Sequence, residues 1–297
     1  MRISYRMIQK ARLINPLLPY MLPQCRNLQD AKQELIWLEK HFKNQNIQLA
    51  KAVIERFKGK PLQYILKNQP FGEDLTINCR PNVLIPRWET DEFCHFINTK
   101  IFQNYQSQDI NKKINIVDLC SGSGCISLSI KESNTMFNVF GVDISDSCIN
   151  LANENKKINS LEDVEFIKGD ILNPDLKLLN KLIASSAEKK IDMIISNPPY
   201  ILHSFLPYLN TSVKKYEPSL ALFGNLEFYE NFVKIWSKYC DSFFYELGEI
   251  EQFEYINSNL DPKVWAVLKW SDSNDKIRGV YGYRKHSQIA KMFDTCK

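Results

Sequence analysis

The chain has 297 residues, of which 44% are hydrophobic, 24% charged and 12% aromatic. That balance excludes a disordered or fibrous protein, and no run approaches the roughly 18 apolar residues of a membrane-spanning helix, so no membrane partner is expected. The net charge of +4 is uneven: residues 1–69 hold 13 Lys/Arg against 4 Asp/Glu, and the remainder holds 25 against 30. A basic head on a mildly acidic body points to an acidic partner or an import machinery; the plain alternative is a solvated lysine-rich helical surface. The eight cysteines include no C-x-x-C pair and the four histidines are scattered. Reduced thiols in an intracellular compartment fit this pattern better than a zinc site or a disulfide framework, and no metal is expected.

The first 29 residues contain no Asp or Glu. Arg2, Arg6 and Lys10 fall on one helical stripe, and Ile3, Met7, Ala11 and Ile14 on its neighbour. A basic, acid-free amphipathic start resembles a mitochondrial transit segment; it also suits the first helix of a domain. Pro16 and Pro19 interrupt any long helix. Asn27 reads as an N-cap with Asp30 at N3, followed by Leu28, Ala31, Leu35, Leu38 and Phe42 at helical spacing. A further helix reads from Gln48 to Phe57. Gly59, Pro61, Pro70, Gly72, Pro81 and Pro86 then punctuate a connector with extended pieces such as Leu75–Cys79.

From Ile114 the pattern changes. Apolar, β-branched runs at Ile114–Leu119, Val139–Ile144, Val164–Ile167 and Ile191–Ser196 read as buried strands. Helical stretches at 125–132, 145–157 and 174–187 separate them. Such alternation implies a parallel sheet covered on both faces. Later strands read at Ser242–Leu247, Val264–Trp270 and Arg278–Tyr283.

Four motifs carry chemistry. Asp118-Leu-Cys120-Ser121-Gly122-Ser123-Gly124 closes a strand and opens a helix, a turn whose glycines let backbone N–H groups approach a nucleotide-like ligand. Dinucleotide enzymes and S-adenosylmethionine (AdoMet) methyltransferases both use such turns. Asp143, at the end of the next strand, suits two ribose hydroxyls. Asp170 with Ile171 follows the third strand and suits an adenine amino group and ring. Each aspartate alone also reads as a helix cap; three at successive strand ends are less easily explained that way. Asn197-Pro198-Pro199-Tyr200 follows the fourth strand. Two prolines remove two donors and leave a rigid wall of acceptors, the Asn197 side-chain oxygen and the Pro198 carbonyl. That wall suits an NH2 group on a flat conjugated centre, with Tyr200 stacking on its face. These residues mark methyltransferases of amide or exocyclic amino nitrogens.

Pro61-Leu-Gln-Tyr-Ile65, Gln69-Pro-Phe-Gly72 and Leu84-Ile-Pro-Arg-Trp-Glu-Thr-Asp-Glu92 resemble the connector of the HemK/PrmC family of protein-(glutamine-N5) methyltransferases. Glu217-Pro-Ser-Leu-Ala-Leu-Phe-Gly224 and Tyr245-Glu-Leu-Gly248 follow in that family's order. The chain is most similar to the fungal mitochondrial members. The resemblance implies an α/β fold: a Rossmann-like class I AdoMet-dependent methyltransferase domain (93–297), a small all-helical release-factor-docking domain (1–68) and a short extended or hairpin connector (69–92). It implies AdoMet as cofactor, S-adenosyl-L-homocysteine as product and the Gly-Gly-Gln glutamine of a class I release factor as substrate. It further implies a monomer of the mitochondrial matrix with no stable nucleic-acid partner. Asn197, Pro198 and Tyr200 carry catalysis, with Pro199 also at the substrate. Asp118, Cys120–Gly124, Asp143, Asp170, Ile171 and Asn197 hold the cofactor, and Arg87 and Glu89 brace the site. Two departures stand out. Cys120 replaces the family's usual Gly, implying a turn that needs no positive φ there, and Trp88 replaces the usual Pro. The rival readings are a nucleic-acid amino methyltransferase acting on a flipped base and a non-catalytic factor binding ribosomes or a release factor.

Overall fold

The structure is a computed structural model that describes residues 3–102, 114–184 and 190–296. Arg2 and residues 185–187 of the anticipated third helix of the sheet domain lie outside that set.

Five helices form the head: α1 (Tyr5–Ile14), α2 (Leu18–Cys25), α3 (Leu28–His41), α4 (Asn46–Phe57) and the short α5 (Leu62–Leu66). Ser4 caps α1 by accepting from the Met7 amide, and Asn27 caps α3 by accepting from Asp30 N at 2.8 Å. These side chains satisfy helix donors that otherwise lack partners. The sequence suggested only a break at Pro16 and Pro19. The structure starts α2 there, because proline in a first turn removes a donor that has no helical acceptor. Ala11, Leu18, Met21, Leu22, Ala31, Leu35, Leu38, Ala52 and Val53 bury the head's core. Arg6, Lys10 and Arg12 sit on the exposed side of α1. Of the apolar stripe, Ala11 is buried and Ile14 is exposed. Arg56 binds Glu34 with Nε at 2.6 Å and Nη2 at 2.9 Å, joining α4 to α3.

The connector is a hairpin of β1 (Asn68–Phe71) and β2 (Leu75–Asn78). Its outer edge is covered rather than left open. Asn78 N donates to the side chain of Asn155 on helix α8 (Asp146–Ile158), and Thr76 N to that of Asn159, which caps the end of that helix. Helix α6 (Trp88–Phe96) starts within the stretch read as connector. Trp88 is its first residue and is half exposed; at that position a proline would also lose no hydrogen bond.

Among the described residues, the central sheet has seven strands in the order β5-β4-β3-β6-β7-β9-β8. β3 (Asn115–Leu119), β4 (Asn138–Asp143), β5 (Glu165–Lys168), β6 (Ile191–Ser196) and β7 (Cys240–Glu246) run parallel. β8 (Trp265–Ser271) and β9 (Ile277–Arg284) form an antiparallel pair beside β7. Helix α7 (Cys125–Ser133) follows β3 and α9 (Leu176–Ala184) follows β5. α10 (Thr211–Tyr216), α11 (Ser219–Leu222) and α12 (Glu227–Lys234) lie between β6 and β7 in sequence, and α13 (Ile250–Asn259) follows β7. Two apolar clusters cover the sheet, one containing Phe93, Ile116, Leu128, Phe244 and Tyr281, the other Val117, Leu182, Tyr229, Phe232 and Phe243.

Phe93 fixes α6 to the sheet: it is fully buried, edge-on to Phe244 at 4.7 Å and to Trp270 at 5.6 Å. Phe93→Ala leaves a cavity under α6 and is expected to lower unfolding free energy by about 3–5 kcal/mol, read by denaturant titration. A loss below about 1 kcal/mol would show that α6 is held by its ends instead.

Candidate active site

The strand order reverses between β3 and β6, and in an open α/β sheet the crevice at that point is the natural ligand site. Register makes the juxtaposition definite. Leu119 pairs with Ser196, Leu119 also with Val142, and Ser196 with Tyr245. The next residues along these four strands are Cys120, Asn197, Asp143 and Glu246, so all four gather at one end of the sheet. A cleft of about 1060 Å³, counting its open mouth, lies there.

Its floor is the turn from Cys120 to Gly124. Ser121 N donates to Val142 O at 3.0 Å and Gly124 N to Ser121 O at 2.7 Å. Gly122 has φ +54°, and a Cβ there would meet nothing within 4 Å, so the backbone stands bare to the cleft. The expectation for Cys120 is corrected: its φ is +62°. The turn keeps the left-handed geometry that a glycine would take freely, and the β-carbon raises its cost by about 1–2 kcal/mol. The hydroxyl of Ser121 is buried without a partner among the described residues.

The three strand-end aspartates separate into different roles in the geometry. Asp143 is buried and lines the cleft. Its Oδ2 accepts from Gly122 N and its Oδ1 from Ser145 N, both at 2.9 Å. The Cys148 thiol and the Ile144 amide also face this carboxylate as donors. Burial pushes its carboxyl above the ordinary range, against the backbone donors. Asp170 and Ile171 also line the cleft. The Asp170 oxygens accept from Leu172 N at 2.9 Å and Asn173 Nδ2 at 3.2 Å. Asp118 lies behind the turn and is not among the cleft-lining residues. Its Oδ2 accepts from Ser127 N at 3.1 Å and Ser127 Oγ at 2.6 Å, while Oδ1 is buried without a partner among the described residues. Burial raises its carboxyl to about 7.

The wall follows β6. Asn197 lines the cleft and donates from Nδ2 to Thr90 Oγ1 at 3.1 Å. Pro198 and Pro199 are buried. Tyr200 donates its hydroxyl to Glu246 Oε1 at 3.0 Å, and its carbonyl accepts from Gln252 Nε2 at 3.2 Å. Pro199 lines the cleft, whereas Pro198 and Tyr200 do not. In this structure Tyr200 packs against Gly248 and anchors the wall from behind. A Cβ on Gly224 would lie 2.2 Å from the Pro199 carbonyl oxygen, so only glycine permits that approach. Arg87 and the buried Glu217 pair at 2.7 Å, and Glu89 lies 3.4 Å from Arg278. The first pair ties the connector to the segment carrying Leu220 and Ala221, which close the cleft.

Thr90, Asn155 and Gln252 were not singled out from the sequence. Thr90 touches the wall and lines the cleft; Asn155 donates to Ser123 O at 2.9 Å; Gln252 holds Tyr200. Each is separated by tens of residues from what it supports, and no local spacing marks it.

The Methyltransferase domain family matches residues 110–231. The chain is 37% identical over 289 residues to the mitochondrial MRF1 N(5)-glutamine methyltransferase MTQ1 of Saccharomyces cerevisiae, covering 95% of this chain and 89% of that protein. The chain belongs to the release factor glutamine methyltransferase family. A bacterial member, from Thermodesulfovibrio yellowstonii, is 32% identical over 76% of this chain and 77% of its own length. The N-terminal domain of human METTL16 in complex with SAH superposes with a TM-score of 0.51 at 18% identity, covering 72% of this chain and 76% of that one. That likeness concerns the fold.

The residues present fit a nucleoside-bearing methyl donor: a bare glycine turn, a buried hydroxyl unpartnered among the described residues and a buried carboxylate at a strand end face one cleft. The props behind the turn give a separate test. Asp118 takes up its proton more readily when folded, so its contribution is full at acid pH and is lost as pH rises from about 4 to above 7. Asp118→Asn keeps an acceptor for Ser127 without the charge. In thermal melts without ligand, the variant's Tm should fall less than wild type between pH 5 and 8. Parallel curves would mean that Asp118 is ionised at no cost.

Proposed function

We propose that this chain methylates the side-chain amide nitrogen (N5) of the glutamine in the Gly-Gly-Gln loop of a mitochondrial class I release factor. The observation that carries the reading is the Asn197 amide at the switch point, with its nitrogen held by Thr90 and its oxygen left for a substrate. Family membership supplies the substrate class. The enzyme is an AdoMet-dependent methyltransferase, and the donor supplies an electrophilic methyl when bound.

An amide nitrogen is a weak nucleophile because its lone pair is delocalised into the carbonyl. In the reaction a nitrogen–carbon bond forms, the carbon–sulfur bond breaks with its electron pair going to sulfur, and one amide proton leaves to water. As the nitrogen gains positive charge its N–H groups become stronger donors. Asn197 Oδ1, the acceptor that reaches the cleft, is our partner for them, so its bond strengthens toward the transition state. It also holds the nitrogen in line with the transferring methyl, with Pro198 assigned the rigidity of the wall behind it. No base strong enough to deprotonate a neutral amide is needed. Asp143 is assigned the ribose hydroxyls, Asp170 and Ile171 the adenine, and Tyr200 the bracing of the wall.

The head (1–68) is assigned the docking of the release factor. Its surplus of positive charge and exposed Tyr5, Leu13, Tyr20 and Ile47 support that assignment. The protein is mitochondrial, like its fungal relatives; we place it in the matrix, as a monomer without a stable nucleic-acid partner. Among the described residues no helix is long and apolar enough to cross a membrane.

Incubation with methyl-labelled AdoMet and either release factor or RNA tests the assignment; label confined to RNA would move it to a base methyltransferase. Two variants divide the site. Asn197→Ala is expected to lower kcat about a hundredfold to a thousandfold while AdoMet affinity holds. Asp143→Ala is expected to weaken AdoMet about tenfold to a hundredfold, the loss of hydrogen bonds to a charged group. Calorimetry and single-turnover rates read the two effects. An Asn197→Ala enzyme at the wild-type rate would remove the wall from the mechanism.

A further inference from the structure

A side-chain amide has two ends of nearly identical shape and opposite chemistry: an acceptor oxygen and a donor nitrogen. Turning Asn197 over would present a donor to a substrate NH2 that can only donate. Something must therefore choose its orientation. The residue in contact is Thr90, whose Oγ1 lies 3.1 Å from Asn197 Nδ2 and 2.8 Å from Glu246 Oε2.

We propose that Thr90 is a positioning residue for the methyl-acceptor site, locked by Glu246 so that it can only accept from Asn197. A threonine hydroxyl has one proton. An ionised carboxylate has none, so Thr90 must spend its proton on Glu246 and turn its lone pairs to Asn197. Asn197 then meets Thr90 with its nitrogen, and Oδ1 is the end left for substrate. The second Glu246 oxygen is occupied by the Tyr200 hydroxyl at 3.0 Å. One carboxylate thus sets the polarity of Asn197 and anchors the far end of the same wall. This inference rests on Asn197 as the acceptor of the substrate amide.

The order of the chain depends on the charge of Glu246. It is buried, and its surroundings are mixed. Glu89 and Cys94 face it from α6, Arg278 from β9, Tyr200 from the wall and Tyr229 from α12. Arg278 favours the charged form of Glu246 only weakly, being itself bound to Asp272 at 3.0 Å with Glu89 at 3.4 Å. Burial raises the Glu246 carboxyl to about 7, opposed by the two hydroxyl bonds. Once protonated, Glu246 can donate to Thr90. The Thr90 proton is then free to turn toward Asn197, and the amide can reverse. The oriented wall therefore belongs to the ionised form, present above the Glu246 midpoint.

The test uses the full chain. In a 1H–15N spectrum of the ligand-free protein, the Asn197 side-chain amide should titrate between pH 6 and 8.5. Glu246→Gln and Thr90→Val should each abolish that titration. With release factor and saturating AdoMet, Thr90→Val should lower kcat about tenfold to a hundredfold with AdoMet affinity within about twofold, and Thr90→Ser should stay within about threefold of wild type. Wild-type kcat should rise with pH through about 7, and Thr90→Val should lose that limb. An Asn197 amide that is invariant with pH, or a folded Thr90→Val enzyme with the wild-type rate and pH profile, overturns the inference. The spectrum needs no substrate. A wild-type protein that titrates as described but does not methylate the release factor would refute the function and leave the orientation of Asn197 standing.

Discussion

The site is organised around the buried carboxylate of Glu246, which has hydroxyl partners rather than a direct ion pair. It ends β7, receives Thr90 from α6 and Tyr200 from the wall, and its backbone carbonyl accepts from the Tyr229 hydroxyl on α12 at 2.9 Å. A buried charge is costly unless hydrogen-bonded, so these partners cannot leave independently. Four elements therefore hold their relative positions. Asn197 is the only part of this construction that presents a polar side chain to the cleft from the wall. That amide has rigid neighbours, which is what the alignment of a weak nucleophile proposed for it requires.

The opposite rim is closed by a different interaction. Arg87 and Glu217 lie 130 residues apart in sequence. Their pairing joins the connector to the segment over the cleft, while Gly224 lets that segment approach the Pro199 carbonyl. The hairpin adds a third clamp through Asn155, which accepts from Asn78 N and donates to Ser123 O in the floor. The connector is therefore part of the cleft's walls as well as a link between the head and the sheet domain.

Local order is what the sequence revealed. The parallel strands and the helices between them were legible because buried strands read as β-branched runs closed by turn residues. The glycine turn, Asp143 and Asn197 were legible because each ends such a strand. The limits have physical causes. Cys120 takes a left-handed φ of +62°, which its residue type does not announce because a side chain disfavours that region. Asp118 pairs with Gly141, two positions before Asp143, and so faces Ser127 behind the turn instead of the cleft. Thr90 looks like any first-turn threonine. Its partners Asn197 and Glu246 are 107 and 156 residues away; sheet register sets those two side by side, and the packing of α6 on the sheet brings Thr90 to both. Helix α2 was hidden because its prolines read as a break.

The central claim is that the wall serves a protein amide. It is tested most directly by fragmentation mass spectrometry of the release factor's Gly-Gly-Gln peptide, taken from mitochondria with and without this enzyme. The account predicts one added methyl group, located on the glutamine side-chain nitrogen, present only with the enzyme. An unmodified glutamine in both samples, or a methyl group equally present without the enzyme, would contradict it.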